Sequence, residues 1–355
     1  MKKIAYIEID THAEIAQDFI NVMSGSGEFT VDYYFSKKIK DQIIESGENI
    51  FLSDSSMILD QLKLQRYDVI IIGTVHRYFN TFLAIVKKYN ASVIVHNMNF
   101  IKSSKFSLIK SIFKEDQIYR LKLLWKEGLL NSSKVYQTAK KRLVLDEELS
   151  SERYTFLPLF YTKNFKKPEN KVLTIVIPGG VSQQRRDYKR GFSMIKNLEK
   201  LSKHSDSENK FIEFVFLGKA KNEELKEIID LERSLKYINI TYFSERVSQA
   251  DFEDWMQKAD VLWCPIQQKT TFFSQEEVYG KTKMTGNLGD AIKFGKQAVF
   301  PSNYASKLDF IVPEQKDILE QFKSLKNSQF DFQKEFNKKS VQQKLEKLLN
   351  ELISI

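Results

Sequence analysis

The chain has a single cysteine, Cys264, in 355 residues. That excludes an internal disulfide and any zinc site built on paired cysteines. No uncharged apolar run approaches the length of a membrane-spanning helix. The opening residues, Met1-Lys2-Lys3-Ile4-Ala5-Tyr6-Ile7-Glu8-Ile9-Asp10, carry acids where a secretory signal peptide needs an apolar stretch. A cytoplasmic protein is therefore expected. The G-x-G-x-x-G fingerprint and the Walker A motif are both absent, which argues against a nicotinamide-dependent enzyme and a P-loop NTPase. The four histidines, His12, His76, His96 and His204, show no H-E-x-x-H spacing, and no metal site is expected. Tandem repeats and low-complexity tracts are missing too.

What is present is a regular alternation of strand and helix patterns. Ile4–Ile9, Val31–Phe35, Asp68–Gly73 and Ser92–His96 are short, rich in β-branched residues and almost wholly apolar, as interior parallel strands are. Helical patterns over Ala13–Met23, Ile58–Gln65 and Phe79–Lys88 separate them, and Val135–Thr138 and Tyr154–Leu157 read as weaker strands. The rhythm lapses between Pro158 and Asn170, a stretch with two prolines and several lysines that reads as a linker. It then restarts with strands at Val172–Ile177, Phe211–Leu217, Ile238–Phe243, Ala259–Cys264 and Gln297–Phe300. Helices are expected at Tyr188–Lys203, Glu223–Leu235, after Ser248, near Leu288–Phe294 and over Gln333–Leu352. The expected organisation is an α/β chain of two Rossmann-like domains: an N-terminal one over residues 1–160, a second over 171–325, and a closing helix over 333–355. In such open sheets ligands bind beyond the strand C-termini, which places the expected site in the cleft between the halves.

Two loops in the second half have the chemistry of a diphosphate site. In Ile177-Pro178-Gly179-Gly180-Val181-Ser182-Gln183-Gln184-Arg185-Arg186-Asp187-Tyr188 a strand ends, two glycines turn the chain, and two arginines precede a helix. Glycine lets an anion approach the main chain, while a helix N-terminus and guanidinium forks stabilise its charge. An ordinary βα turn with solvated arginines has the same appearance. The second loop runs from Tyr279 to Asp290: the turn Gly286-Asn287-Leu288 offers backbone N–H groups to phosphate, and Asp290 suits a ribose diol. A capped helix with an acid near its positive end reads equally well.

Together these loops resemble the donor domain of bacterial glycosyltransferases with the B-type fold, especially the retaining family-4 (group 1) enzymes. Arg185-Arg186 after the first strand, Asp290-Ala291, Gly295, Val299-Phe300-Pro301, Phe214–Gly218 and Gln257–Pro265 match that pattern in order over about 140 residues. The resemblance implies a sugar transferase that uses a nucleoside-diphosphate sugar and no other cofactor. By the same resemblance Gly179, Gly180, Arg185, Arg186, Gly286, Asn287 and Leu288 meet the diphosphate, and Asp290 meets the ribose. The family's Glu eight residues before the acid is here Thr282, flanked by Lys281 and Lys283. The sugar contact therefore does not carry over, which leaves donor sugar and stereochemistry open. With no Asp-x-Asp triplet to hold a metal, the arginines and Lys283 are left to offset the leaving diphosphate. Nucleotide-sugar epimerases and non-catalytic subunits share this fold and remain alternatives.

His12, His76 and His96 each follow a strand, and Asp10 with His12 is the expected acceptor-side pair. The acceptor is expected to be a glycan or a lipid-linked glycan. The net charge is +9, and it concentrates over residues 102–142, where eleven basic residues face three acids. Phe106, Leu108, Ile109, Ile112 and Phe113 interleave with those lysines, followed by Leu121, Leu123, Leu124 and Trp125. Such a segment suits an anionic membrane surface, and it suits equally a surface helix whose apolar face is core. No nucleic-acid-binding module is visible, so nucleic acid is not an expected partner.

Overall fold

The computed structural model describes residues 1–44, 47, 49–114, 116–163, 167–202 and 212–354. Expectations resting on Glu115, Lys203, His204, Phe211 and residues 164–166 of the linker lie outside the described residues.

The chain divides into two compact units. The first comprises Met1–Tyr161, Thr271–Met284 and Lys338–Ile355; the second comprises Thr162–Thr270 and Thr285–Asn337.

In the first unit the order is β1 (Lys2–Glu8), α1 (Ala13–Met23), β2 (Phe29–Phe35), α2 (Lys37–Lys40), β3 (Ile50–Leu52), α3 (Ile58–Gln61), β4 (Val69–Ile72), α4 (Phe79–Lys88), β5 (Ala91–Ile94), α5 (Lys105–Ile112), α6 (Gln117–Lys122), α7 (Ser132–Thr138), β6 (Arg142–Val144) and β7 (Thr155–Phe156). The seven strands form one sheet in the order β3-β2-β1-β4-β5-β6-β7, every pair parallel. β4 and β5 are buried at every position, which is why their sequences carry no alternation. Strand order reverses between β1 and β4, so loops after these two strands diverge and leave a crevice at their C-terminal ends.

The second unit continues with β8 (Leu173–Pro178), α8 (Tyr188–Ser202), β9 (Ile212–Lys219), α9 (Asn222–Ser234), β10 (Ile238–Phe243), α10 (Gln249–Lys258) and β11 (Val261–Trp263). A hairpin follows, β12 (Lys269–Phe272) and β13 (Gln275–Val278). Then come α11 (Gly286–Phe294), β14 (Ala298–Phe300), β15 (Ile311–Pro313), α12 (Ile318–Asn327) and α13 (Phe332–Phe336), and the chain closes with α14 (Lys338–Ile353), which like most of the hairpin belongs to the first unit. Its six-stranded parallel sheet runs β10-β9-β8-β11-β14-β15 and reverses between β8 and β11. Ser248 caps α10 as its sequence predicts, accepting a 3.1 Å hydrogen bond from the Asp251 N–H.

Several elements differ from the sequence reading. Val135–Thr138, expected as a strand, is the C-terminal half of α7, because Val135 and Tyr136 are buried on one helix face and the Tyr136 hydroxyl donates to the Val75 carbonyl. The strand that pairs there is Arg142–Val144, too short to show a period. The helix expected over Ile58–Gln65 is regular only through Gln61. The single closing helix expected over Gln333–Leu352 is two, α13 and α14, broken at Asn337, whose backbone is extended. The break coincides with the boundary between units. α13 buries Phe332 in the second unit, whereas α14 packs on α1 of the first, where Ser26 donates to Glu346 and Asn90 to the Leu352 carbonyl.

One buried acid sets a stability prediction. Asp146 is 4% exposed, and burial pushes its carboxyl up to about 6 from 3.8. Between these two values the unfolded chain is ionised while the folded chain holds its proton, so stability falls as pH rises. Asp146→Asn keeps a side-chain acceptor for the Glu148 N–H. It is expected to raise the unfolding free energy by about 1–3 kcal/mol at pH 7, with no gain below about pH 4. Urea denaturation at the two pH values checks this; an equal effect at both would refute it.

Candidate functional sites of the two units

In the first unit, loops after β1, β4 and β5 bring His12, His76 and His96 together, from three strands adjacent in the sheet. His12 and His96 stack with ring centroids 4.1 Å apart and planes 21° from parallel. His76 meets both edge-on, at 6.0 and 5.7 Å. His96 Nε2 lies 2.9 Å from the Gly73 carbonyl and His76 Nε2 3.3 Å from the Asn97 amide nitrogen.

The three rings are electrostatically unequal. Burial, reinforced by the His12 charge, holds His76 and His96 well below the usual imidazole range. Burial also opposes a charge on His12, but the Glu14 carboxylate 2.7 Å from Nδ1, together with Glu8, outweighs it and leaves His12 raised. Glu8 is fully buried, and desolvation raises its pKa against the Thr74 hydroxyl (2.6 Å) and the N–H groups of Asp10 and Thr11 (3.0 and 3.2 Å). The Nδ1 partner of His12 is thus Glu14. Asp10 is raised by burial, opposed by the charges of Arg77 and Lys38. Arg77 in turn forms a forked pair with Glu127, its Nε and Nη2 donating at 3.1 and 2.6 Å.

Lys283 joins this group rather than the second unit. Residues Thr271–Met284 pack on the first unit: Phe272 lies 4.5 Å from the His76 ring and 5.0 Å from that of Phe100. The Met98 N–H donates to the Thr282 carbonyl, and Lys283 Nζ donates to Asn97 Oδ1 while lying over the Phe272 ring. Glu277, fully buried, accepts the Asn99 and Phe100 N–H groups. Thr282 hydrogen-bonds the Val278 N–H. It closes a turn at the position where the resembling family has a sugar-binding Glu.

In the second unit the loop after β8 builds a compact cradle. Gly179 has φ +96°, and a Cβ there would lie 2.4 Å from Arg186 Nη2. Arg186 is 9% exposed; Nη1 donates to the Gly180 carbonyl (3.2 Å) and Nη2 to Asn287 Oδ1 (3.1 Å). Its Nε is buried and finds no partner among the described residues. Asn287 also donates to the Pro178 carbonyl, so one amide ties the loop to the first turn of α11. The Asn287 and Leu288 N–H groups already meet Thr285, through its Oγ1 at 3.4 Å and its carbonyl at 3.2 Å. Gly180 and Gly286 have open space where a Cβ would stand. Arg185 is exposed, and Asp290 is half-buried on α11. Cys264 is buried, and burial pushes its thiol up, which removes it as a nucleophile.

Gly218 is the structural glycine that supports this loop. A Cβ there would stand 2.4 Å from the Gly179 oxygen and 2.7 Å from the Gly180 nitrogen, both backbone atoms that no rotamer change can move away. Gly218→Ala is expected to destabilise the fold by about 1–3 kcal/mol and to displace the loop. A melting point equal to that of the parent protein would refute the packing argument.

Among the described residues no three His, Cys, Asp or Glu side chains are grouped to hold a metal ion, and no helix is long and apolar enough to cross a membrane.

Two doubly wound parallel sheets in succession, each with a loop site at its reversal point, define the class of protein. No family model and no curated protein sequence matches the chain. Solved structures do. AviGT4, a glycosyltransferase involved in avilamycin A biosynthesis, has TM-score 0.55 and 8% identity, covering 100% of this chain and 98% of that one. The lipopolysaccharide outer core galactosyltransferase WaaB in its apo form has TM-score 0.54 and 12% identity, covering 98% and 99%. UDP-GlcNAc 2-epimerase from Neisseria meningitidis, bound to UDP-GlcNAc, has TM-score 0.54 and 11% identity, covering 98% and 100%. The chain has the glycosyltransferase B-type fold, which such epimerases share.

Proposed function

We propose that the chain is a metal-independent glycosyltransferase that moves a sugar from a nucleoside-diphosphate sugar to a glycan or lipid-linked acceptor in cell-surface polysaccharide synthesis. The observation that carries the reading is Arg186. A buried guanidinium with an unpartnered Nε, set between a glycine turn and a helix start, is a costly arrangement unless an anion completes it. A diphosphate supplies that anion. Gly180 and Gly286 leave room for it to approach the main chain, Arg185 adds screened positive charge, and Asp290 accepts from the ribose diol. The UDP-GlcNAc named with the epimerase neighbour makes uridine diphosphate the first nucleotide to test.

The first unit supplies the acceptor chemistry. In an inverting transfer the acceptor hydroxyl oxygen attacks the anomeric carbon as the bond to the diphosphate breaks. The hydroxyl proton passes to His12, held by Glu14 and stacked on a neutral His96. Lys283 contributes charge beside that group, and Asp10 interacts with the His12 charge. Isothermal titration with a panel of nucleoside diphosphates tests the donor site: binding by none would sink the reading. The epimerase of the same fold is the second reading, favoured by an equally good structural likeness. Release of free nucleoside diphosphate that requires an added acceptor separates transfer from epimerisation.

A further inference from the structure

The segment from Lys102 to Lys126 has two apolar faces, and only one of them is core. On α5, Leu108 and Ile112 point inward, while Phe106, Ile109 and Phe113 recur at i, i+3 and i+7 on the outer side. On α6 and the π-helical turn Leu123–Glu127 that extends it, Arg120 and Leu123 are buried, while Ile118, Lys122 and Trp125 recur outward at i, i+4 and i+7. Phe106 is 76% exposed, Phe113 71%, Ile118 88% and Trp125 78%. This one segment holds six of the thirteen large apolar side chains exposed among the described residues. Lys102, Lys105, Lys110, Lys114, Lys122 and Lys126 are exposed among them, against Asp116 as the exposed acid among the described residues.

We propose that this outer face docks on an anionic lipid bilayer, with Phe106, Phe113, Ile118 and Trp125 entering the acyl boundary and the lysines meeting lipid phosphates. Alternating bulky apolar and long cationic side chains match an interface whose depth is apolar and whose surface is anionic. A second copy of the chain fits less well, since an isologous contact would set this lysine-rich face against itself. The inner side is anchored independently of the outer one. Gln275 donates to Ser107, and Arg120 donates to the Ser111 carbonyl and to Ser274. The Arg120 guanidinium also lies over Phe273, in a turn where Phe273 and Ser274 both hold positive φ. Substitutions on the outer face therefore leave the packing intact.

The test is co-sedimentation of the full chain with phosphatidylcholine vesicles, with or without about 30% phosphatidylglycerol, at about 0.1 M and 0.5 M salt. Binding to the anionic vesicles, weakened at high salt, is expected, together with a blue shift in tryptophan emission that Trp125→Phe abolishes. Phe106→Ser, Phe113→Ser and Trp125→Ser combined should lower vesicle binding at least tenfold with the melting point unchanged. Lys105→Gln, Lys110→Gln, Lys114→Gln and Lys122→Gln combined should remove the preference for anionic vesicles. Equal pelleting with neutral vesicles, or full binding by the triple serine variant, would overturn the proposal. So would a concentration-dependent dimer dissolved by that variant, or an equal affinity for an oligonucleotide. Nucleoside diphosphate affinity, measured in the same variants, is expected to be unchanged, so this proposal and the donor-site reading stand or fall separately.

Discussion

Arg186→Ala is expected to weaken nucleoside diphosphate binding by about 30- to 100-fold, while Arg185→Ala weakens it less than about fivefold. Sequence alone treats the two arginines alike; burial separates them. Arg186 is held in place by the Gly180 carbonyl and Asn287, with its Nε unpartnered in a dry setting, so its charge-assisted hydrogen bonds act with little solvent screening. Arg185 sits in water, where its attraction is screened by salt. Titration calorimetry of both variants decides the matter, with circular dichroism confirming that each is folded. Arg186→Lys separates charge from shape, since an ammonium keeps the charge but not the fork, and it is expected to fall between parent and alanine variant. An Arg186→Ala protein that folds and binds as the parent does would remove the diphosphate assignment.

The second large effect is expected at His12. His12→Asn should lower kcat by about 100- to 10,000-fold with little change in donor KM, the loss typical of a removed general base. A base works only when deprotonated. The Glu14 and Glu8 carboxylates raise His12 above its ordinary 6.5 against the opposing effect of burial, so the rate should rise with pH through a midpoint above that value. Glu14→Gln removes the carboxylate while keeping the shape, and it should move that midpoint to lower pH. His76 and His96, held neutral across the same range, should contribute no second limb. A flat profile, or a midpoint unmoved by Glu14→Gln, would assign His12 a purely structural place.

The alternation of apolar strands and amphipathic helices was legible because interior parallel strands must be continuously apolar, and because each βα turn marks itself with glycine or a cap. β1, β4, β5, β8 and β14 could be read that way. β3, β6 and β15 could not: they are short and only partly buried, so neither a continuous apolar run nor an alternation marks them. The hairpin β12–β13 was missed for a related reason. Its turn residues are Phe273 and Ser274, not the asparagine or glycine that a left-handed turn favours, and Arg120 holds them there from another part of the chain.

By itself the sequence determined the two-sheet α/β architecture, the strand ends that carry Gly179–Arg186 and His12, and the concentration of charge over residues 102–142. Each of these follows from local composition and period. Tertiary structure alone decided which groups meet. It paired His12 with Glu14, stacked it on His96 and packed Thr271–Met284 with Lys283 against that cluster. It buried one arginine of a pair and turned a second apolar stripe of α5 and α6 outward. These are outcomes of packing between residues distant in the chain, where neither spacing nor residue type carries the partner's identity.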